Sequence, residues 1–349
     1  METVALFEHL SFGFLGEFDV FAPAETGRTR CENSSMTPSS GGVDSLACYL
    51  NRRDERPALF TIHGSDLSLD HDEGWQRIRD SVEGFSESEA VSFHAVKSNF
   101  REILLYSSLD HHFTADINRN WCGSIQYGTG LPSLCAPIAH MNGYEFIYQG
   151  SGYTTDPEYP TAQPSFVHTL RWGKTESRIT EVEMSRQDKI EYLANNFQEL
   201  NGSLTVRSCF NDTTGQNCSE CEKCRRTILG LCTEGIDPNT VGYDVDQSTF
   251  ESVRHDLEQG KMSLEGFRLY FWRDLRNRAR EREHVHMANS DFYEWFQSVD
   301  LSKPTTADEN KSQRDVSTPG LQNVLLNMPY PADTILWSVA NSVKRKLPF

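Results

Sequence analysis

Residues 39–45 read Ser-Ser-Gly-Gly-Val-Asp-Ser, and residues 209–224 carry four cysteines spaced C-x8-C-x2-C-x2-C. Most of the chemistry legible in the chain lies in these two patterns. Gly41 and Gly42 lack the Cβ atoms that hold a backbone away from a ligand. Hydroxyls flank them, and the apolar run Leu46-Ala47-Cys48-Tyr49-Leu50 follows directly. A glycine turn that opens into a helix aims free N–H groups, and the positive end of the helix dipole, at one point; it reads as a phosphate site, with a plain Ser/Gly surface turn as the alternative. No Gly-Lys-Ser/Thr follows, so the turn is not a Walker loop. Ser40 and Ser45 supply hydroxyl donors, while Asp44 either binds Mg²⁺ through water or caps the helix start. A buried strand should precede such a turn, yet Cys31 to Pro38 is polar, ends in proline and does not read as one.

Cys209, Cys218, Cys221 and Cys224 offer four soft ligands that can converge on a tetrahedral ion. That is the demand of a structural Zn²⁺ site, and four sulfurs leave no position for water. An iron–sulfur cluster is the rival occupant. A redox Cys-x-x-Cys pair would not need the other two cysteines. Asn211, Asp212, Gly215, Asn217 and Ser219 between them are turn formers, as a folded loop requires.

The elements that must position these groups alternate. Helices are expected at 44–52, 71–84, from 100 and at 131–141; short strands are expected at 57–63, 90–96 and 144–148. Gly123 to Gly130 reads as a glycine-rich turn. This order predicts an α/β fold, a doubly wound parallel sheet with ligands at the carboxyl ends of the strands. The glycines at 41–42 and 150–152 both fall at such ends. The reading divides the chain into an N-terminal extension (1–30), the α/β domain with its cysteine loop (31–235), a helical region (236–300), a linker (301–320) and a C-terminal helix with a basic tail (321–349).

The 349 residues are 37% hydrophobic and 24% charged, which argues against a wholly disordered chain. No apolar run reaches the ~20 residues that span a bilayer, and the N-terminus lacks the basic start of a signal peptide. The nine cysteines are an odd count, and five have no recurring spacing, so a reducing cytoplasm is expected. A net charge of −17 disfavours non-specific nucleic-acid binding by the whole molecule.

The Ser-Gly-Gly-x-Asp-Ser turn, the α/β order and the late C-x8-C-x2-C-x2-C loop together resemble the QueC group of PP-loop ATP pyrophosphatases, over about residues 39–235. That group has a HUP-like α/β fold. It activates a carboxylate with ATP, releases pyrophosphate and lets ammonia attack the adenylate, making 7-cyano-7-deazaguanine. The resemblance implies a pyrophosphate loop at Ser40, Gly41, Gly42, Asp44 and Ser45, and a substrate-side glycine segment at Gly150, Gly152 and Tyr153. It also implies zinc ligands at Cys209, Cys218, Cys221 and Cys224, and an arginine after them at Arg225 or Arg226. The family's substrate segment, Asp-Tyr-Ser-Gly-Tyr-Pro-Asp-Cys-Arg, is replaced by Tyr153 to Pro164; Tyr159-Pro160 remains but the Asp-Cys-Arg does not, so the branch is divergent and its substrate open.

The expected cofactors are ATP, Mg²⁺ and Zn²⁺. The expected partners are a small-molecule acid and ammonia or an amine donor, with no membrane; a macromolecular acceptor, a defence context and an oligomer stay open. Arg186 and Lys189 lie three apart at a helix start opened by Ser185, where they serve either phosphate or solvent, and Lys174 and Arg178 are weaker candidates. His63, followed by Asp66, stands after a strand, where a lone histidine is more often packed or solvated than placed at a site rim; Cys122 and Cys135 are the thiols that sulfur transfer would need, but read first as buried structural cysteines. Arg268 to Arg282 with Phe267, Tyr270, Phe271 and Trp272 read as a solvated, core-packed helix in preference to an RNA site. Sulfur transfer, sugar amidation and a non-catalytic nucleotide-binding or partner-binding domain are the alternative functions.

Overall fold

Ser35–Pro38 forms β1, a central strand, so the polar segment before the turn is a buried strand after all. Its main chain pairs on both sides. Met36, Thr37 and Pro38 lie opposite Ala58, Leu59 and Phe60, and Ser35 and Met36 lie opposite Phe146 and Ile147. Pro38 stands beyond the last residue paired with the second neighbour, where its missing N–H breaks no ladder bond. Backbone pairing and the burial of Met36 decided the outcome, and the short side chains of Ser35 and Thr37 fit a closed interior.

This computed structural model describes residues 34–102, 104–117, 121–152, 154, 170–197, 200, 205–262, 264–282 and 290–302. The N-terminal extension, Tyr153, the segment 155–164, nearly all of the linker and the C-terminal helix with its basic tail lie outside them. The remaining strands are β2 (Ala58–His63), β3 (Phe93–Lys97), β4 (Phe146–Gly150), β5 (Arg171–Trp172) and β6 (Thr175–Thr180). Among the described residues there are nine α-helices. They are α1 (Val43–Leu50), α2 (Asp72–Ser88), α3 (Tyr106–Ile117), α4 (Tyr127–Asn142), α5 (Arg186–Asn196), α6 (Glu222–Thr233), α7 (Gln247–Glu258), α8 (Phe267–Glu281) and α9 (Ser290–Ser298). No helix among the described residues is long and apolar enough to cross a membrane.

The sheet order is β3-β2-β1-β4-β6-β5, parallel throughout except for the β5–β6 hairpin at the edge. From β1 the chain builds outward to β3 on one side, then returns to place β4 on the other. The carboxyl ends of β1 and β4 therefore flank a topological switch point, where open α/β sheets place their ligands.

Successive strand residues face opposite sides, and two cores result. Met36, Ala58, Phe60 and Ile147 pack on Cys135, Ala136 and Ala139 of α4. Leu59 joins the other core with Val43, Leu46, Val82, Ile190, Ile228, Trp272 and Phe296, from α1, α2, α5, α6, α8 and α9. Helices from the 236–300 region thus share a core with the helix that follows the glycine turn.

Two expected elements differ. The helix expected from 100 begins at Tyr106. Gly123 to Gly130 is no turn: a π-helical stretch, Cys122–Gln126, runs straight into α4. Burial of Ile125, Cys135 and Ala139 outweighs the weak helix propensity of these glycines.

Gly150, at the end of β4, lies against the start of α1. A Cβ on it would stand 2.1 Å from the Asp44 carbonyl oxygen. Gly150→Ala must push α1 off the sheet, at a cost of about 1–3 kcal/mol. A fall in unfolding free energy of that size, seen as a lower urea midpoint, is the expected measurement; an unchanged midpoint would show that α1 withdraws freely.

Candidate functional site

The turn at 39–42 leaves β1 and enters α1 without a side-chain cap. Gly42 is the N-cap residue, and the Ser45 hydroxyl donates to its carbonyl at 2.9 Å. Asp44 is therefore not the cap. The first-turn amides of Val43, Asp44 and Ser45 have no acceptor within the helix, as at any helix start. Gly41 has φ +78°, and a Cβ there would sit 3.2 Å from the Thr205 carbonyl oxygen. The turn is held from the other side by the Arg207 N–H, which donates to the Gly41 carbonyl at 2.8 Å.

The Asp44 carboxylate, 24% exposed toward the cleft, is met by Arg186 Nη2 at 3.0 Å and Lys189 Nζ at 3.4 Å. A capping box starts α5: Ser185 Oγ accepts from the Asp188 N–H, and Asp188 returns the bond to the Ser185 N–H. That fixes the entry of α5 so that both cations reach Asp44. Lys189 is 2% exposed and also donates to the Ser151 carbonyl just past β4. Burial opposes the charged form of Asp44, but Arg186, Lys189 and Lys223 outweigh it and hold the carboxyl below its ordinary value. Burial pulls the Lys189 ammonium down despite Asp44. Of the two, Arg186 lines the cleft and Lys189 lies behind it.

A second carboxylate, Asp66, faces Arg207 Nη1 at 3.7 Å and accepts from the Tyr127 hydroxyl at 3.4 Å. Arg101 donates to the Ser65 carbonyl at 2.7 Å and lies over the Tyr127 ring. His63 is packed away: it stacks on Trp75 at 4.8 Å, and its Nε2 faces the Ser68 carbonyl. Lys174 and Arg178 belong to the edge hairpin. Arg178 pairs with Glu176 and covers Phe146, Lys174 is solvent-exposed, and neither lines the cleft. Cys135, on the sheet-facing side of α4, is fully buried, and burial pushes its thiol up. Cys122 lines the cleft; burial raises its thiol too, against the charge of Arg101.

The four cysteine sulfurs, Cys209, Cys218, Cys221 and Cys224, all lie within 4.8 Å of one another. None of the four forms a disulfide. Main-chain N–H groups of Asp212, Cys221 and Cys224 point at the sulfurs of Cys209, Cys218 and Cys221. Asn217 ties the loop together, accepting from the N–H groups of Ser208 and Cys209 and donating to the carbonyls of Val206 and Gly242. Donor set and spacing suit one thiophilic metal ion.

The helix that begins at Cys221 brings further cations. Lys223 lies over the Phe210 ring at 3.3 Å, and Arg226 pairs with Glu222 at 2.8 Å. Burial first, then Arg186, brings the Lys223 ammonium down to about 8. Arg225 turns away to Asp256 and Ser252 on α7, so Arg226 is the arginine after the cysteines that reaches the cleft.

A cleft of about 810 Å³ opens over these groups. Ser40, Gly42, Asp44, Ser45, Gly150 and Gly152 line it, as does Cys209; Gly41 supports the turn from behind. Arg101, Arg186, Arg207, Lys223, Arg226 and Arg268 also line it, against the acids Asp44, Asp66 and Glu222. In a chain of net charge −17 this is a local reversal of sign, and it fits a polyanion. Sequence reasoning missed Arg101, Arg207 and Lys223. For Lys223 a signal was present, a cation between two clustered cysteines; for the others only the fold gives one.

No family model matches the chain. A stretch of 29 residues, 8% of the chain, is 90% identical to a probable transposase for insertion sequence element ISH11 from two strains of Halobacterium salinarum. The chain spans 9% of the length of these curated relatives, and so short a match shows no family.

The Lys189–Asp44 pair predicts a pH-dependent stability difference. Asp44 stabilises the fold in full above the ordinary carboxylate pKa, and that contribution is lost as pH falls through its lowered folded value. Lys189→Met is expected to cost about 1–3 kcal/mol near neutral pH. In urea titrations the gap to the parent should narrow as pH falls below the ordinary carboxylate range and through the lowered folded value of Asp44. A gap independent of pH would assign the loss to packing alone.

Proposed function

We propose that the chain is an ATP-consuming PP-loop enzyme of QueC-like type that adenylates a carboxylate or carbonyl oxygen and passes the activated carbon to ammonia or an amine. One observation carries the reading. The Ser-Gly-Gly-x-Asp-Ser turn stands at the carboxyl end of a central parallel strand, at the switch point, with uncapped helix amides and six cations around one cleft.

The chemistry follows from what those groups stabilise. An oxygen of the acid attacks the α-phosphorus of ATP, the α–β bridging bond breaks, and pyrophosphate leaves with its electron pair. Negative charge grows on the leaving group, so preorganised donors aimed there lower the barrier. The amides of residues 43–45, the hydroxyl of Ser40 and the guanidinium of Arg186, which face or line the cleft, would serve as those donors. Lys189 stays behind Asp44 and fixes it, through the Ser151 carbonyl, against the end of β4. Attack of ammonia or an amine on the acyl adenylate then gives the amide and AMP. Asp44 and Asp66 are the two carboxylates in the cleft suited to hold magnesium carried in with ATP through its water shell. When bound, that ion would neutralise phosphate charge.

Four thiolates at mutual tetrahedral range fit zinc in a structural role, with no open position for substrate. One zinc per chain is expected by metal analysis of the purified protein, falling below one-tenth of that in a Cys221→Ser variant. Retention of a full equivalent in that variant would refute the assignment.

The presence of β1 removes the main argument for a degenerate, non-catalytic domain. Sulfur transfer keeps one supporting observation, the position of Cys122 in the cleft beside Arg101, at 3.7 Å from its Nη2. Burial raises that thiol against the charge of Arg101, which lowers its thiolate fraction.

Pyrophosphate–ATP exchange over a panel of carboxylic acids tests the proposal. Acid-dependent exchange and AMP formation are expected, reduced by at least about 100-fold in Asp44→Ala and Arg186→Ala, since each removes a charged contact to the leaving group or its support. Failure to bind ATP, or to form AMP with any acid, would sink it. Full turnover past the exchange step, which both routes share, in Cys122→Ser and in Cys135→Ser would exclude the sulfur route.

A further inference from the structure

We propose that the cysteine loop is itself a wall of the phosphate site, with Arg207 and Lys223 holding the polyphosphate, so that metal binding at the four cysteines and polyphosphate binding at the glycine turn depend on each other. The inference rests on the reading of residues 39–45 as a phosphate site and assigns the loop a part in ligand binding that this reading does not contain.

Arg207 carries the first half of the argument. It stands two residues before Cys209, and its N–H holds the Gly41 carbonyl at 2.8 Å. Its side chain is 6% exposed and lines the cleft. Only Nη1 approaches an acid, Asp66 at 3.7 Å, while Nε and Nη2 are buried without a hydrogen-bond partner. Buried donors left unsatisfied on a cation are costly. An anion arriving between the glycine turn and Asp66 would satisfy them. Arg186, across the cleft, has its Nε in the same condition.

Lys223 carries the second half. It lies between Cys221 and Cys224, on the first turn of α6, whose N-cap is Cys221 itself. Its ammonium rests on Phe210, one residue after Cys209, and its charge is felt at Asp44, Asp66, Arg186 and Arg226. It lines the cleft together with Asp44, Asp66, Arg186 and Arg226.

The scaffold that fixes both cations is the cysteine cluster. Residues 205–221 form neither helix nor strand. Their place is set by the four sulfurs, by Asn217, and by the main-chain bonds from Val206 to Val241 and from Arg207 to Gly41. A metal that draws the sulfurs together therefore also fixes Arg207 and Lys223 over the glycine turn. Linkage is reciprocal: whatever factor the metal adds to polyphosphate affinity, polyphosphate adds to metal affinity.

Inorganic pyrophosphate is the probe, measured by calorimetry on the full chain loaded with zinc and again after chelation. Metal removal is expected to weaken pyrophosphate binding at least about fivefold, within the usual range of coupling between sites. Lys223→Met and Arg207→Met should weaken it about tenfold or more, with zinc content unchanged in Lys223→Met. In the reciprocal measurement, pyrophosphate should slow transfer of zinc from the protein to a colorimetric chelator in the parent but not in Lys223→Met. Free pyrophosphate binds zinc itself, so slowing is opposite in sign to simple competition. If the stripped protein unfolds by circular dichroism, the transfer measurement on the loaded protein decides alone. Equal pyrophosphate affinity with and without metal, or an unchanged transfer rate, overturns the linkage and leaves the phosphate site standing. No pyrophosphate binding by the loaded parent overturns the phosphate reading, and the linkage with it.

Discussion

The Asp44 carboxylate is the point on which the rest of the structure turns. Lys189 is buried, and an unpaired ammonium in such a place costs several kcal/mol. Asp44 and the Ser151 carbonyl offset that cost, and each belongs to a different part of the sheet. Asp44 sits on the helix that follows β1, Ser151 just past β4, and Lys189 on α5. The three can meet only if α1 lies directly against the end of β4, which is why Gly150 has no room for a side chain. The capping box at Ser185 then sets the start of α5 so that Arg186 falls on the cleft side and Lys189 behind it. One buried charge pair thus fixes the angle at which a glycine turn presents its amides.

Charge is sorted by position. The chain carries an excess of acid, yet its cleft gathers six cations. The arginines of α8 show the sorting most clearly. Arg278 reaches Asp188, Glu191 and Glu234, and Arg282 reaches Glu191 and Glu234. Arg276 and Arg280 donate to the carbonyls of Val299 and Gln297. These four brace α8 against α5, α6 and α9, so the arginines expected on a solvated face serve mainly as a structural fastening. Arg268 alone among those named lines the cleft.

The sequence was most informative where chemistry is local. The glycine turn, the cysteine spacing and the capping Ser185 could each be read within a few residues, because their geometry is set by near neighbours. Legibility failed where the deciding partner is distant. Ser-Met-Thr-Pro looks unlike a central strand; it becomes one because β2 and β4 pair with it on both sides, which no local pattern records. Gly123 to Gly130 looks like a turn, and helix packing on the sheet made it helical. Arg101 and Arg207 are ordinary residues in sequence; they matter because separate loops bring them to Asp66 and its neighbours.

The helical region after residue 236 belongs to this same arrangement. Trp272, fully buried, donates its indole N–H to Glu222 at 2.8 Å, and that carboxylate also receives Arg226. On the same helix, Phe267, Arg268 and Phe271 line the cleft, with Arg226 lying 4.5 Å from the Phe271 ring centroid. Glu222 therefore joins the core of the C-terminal helices to the helix that starts at the cysteine cluster. Because Trp272 and Phe271 are adjacent on α8, any shift of that helix in its core must move the aromatic wall over the cleft. The C-terminal helices are thus the fourth side of the site, after the glycine turn, the end of β4 with α5, and the cysteine loop. Phe267, Arg268 and Phe271 of α8 therefore shape the cleft that the glycine turn opens into.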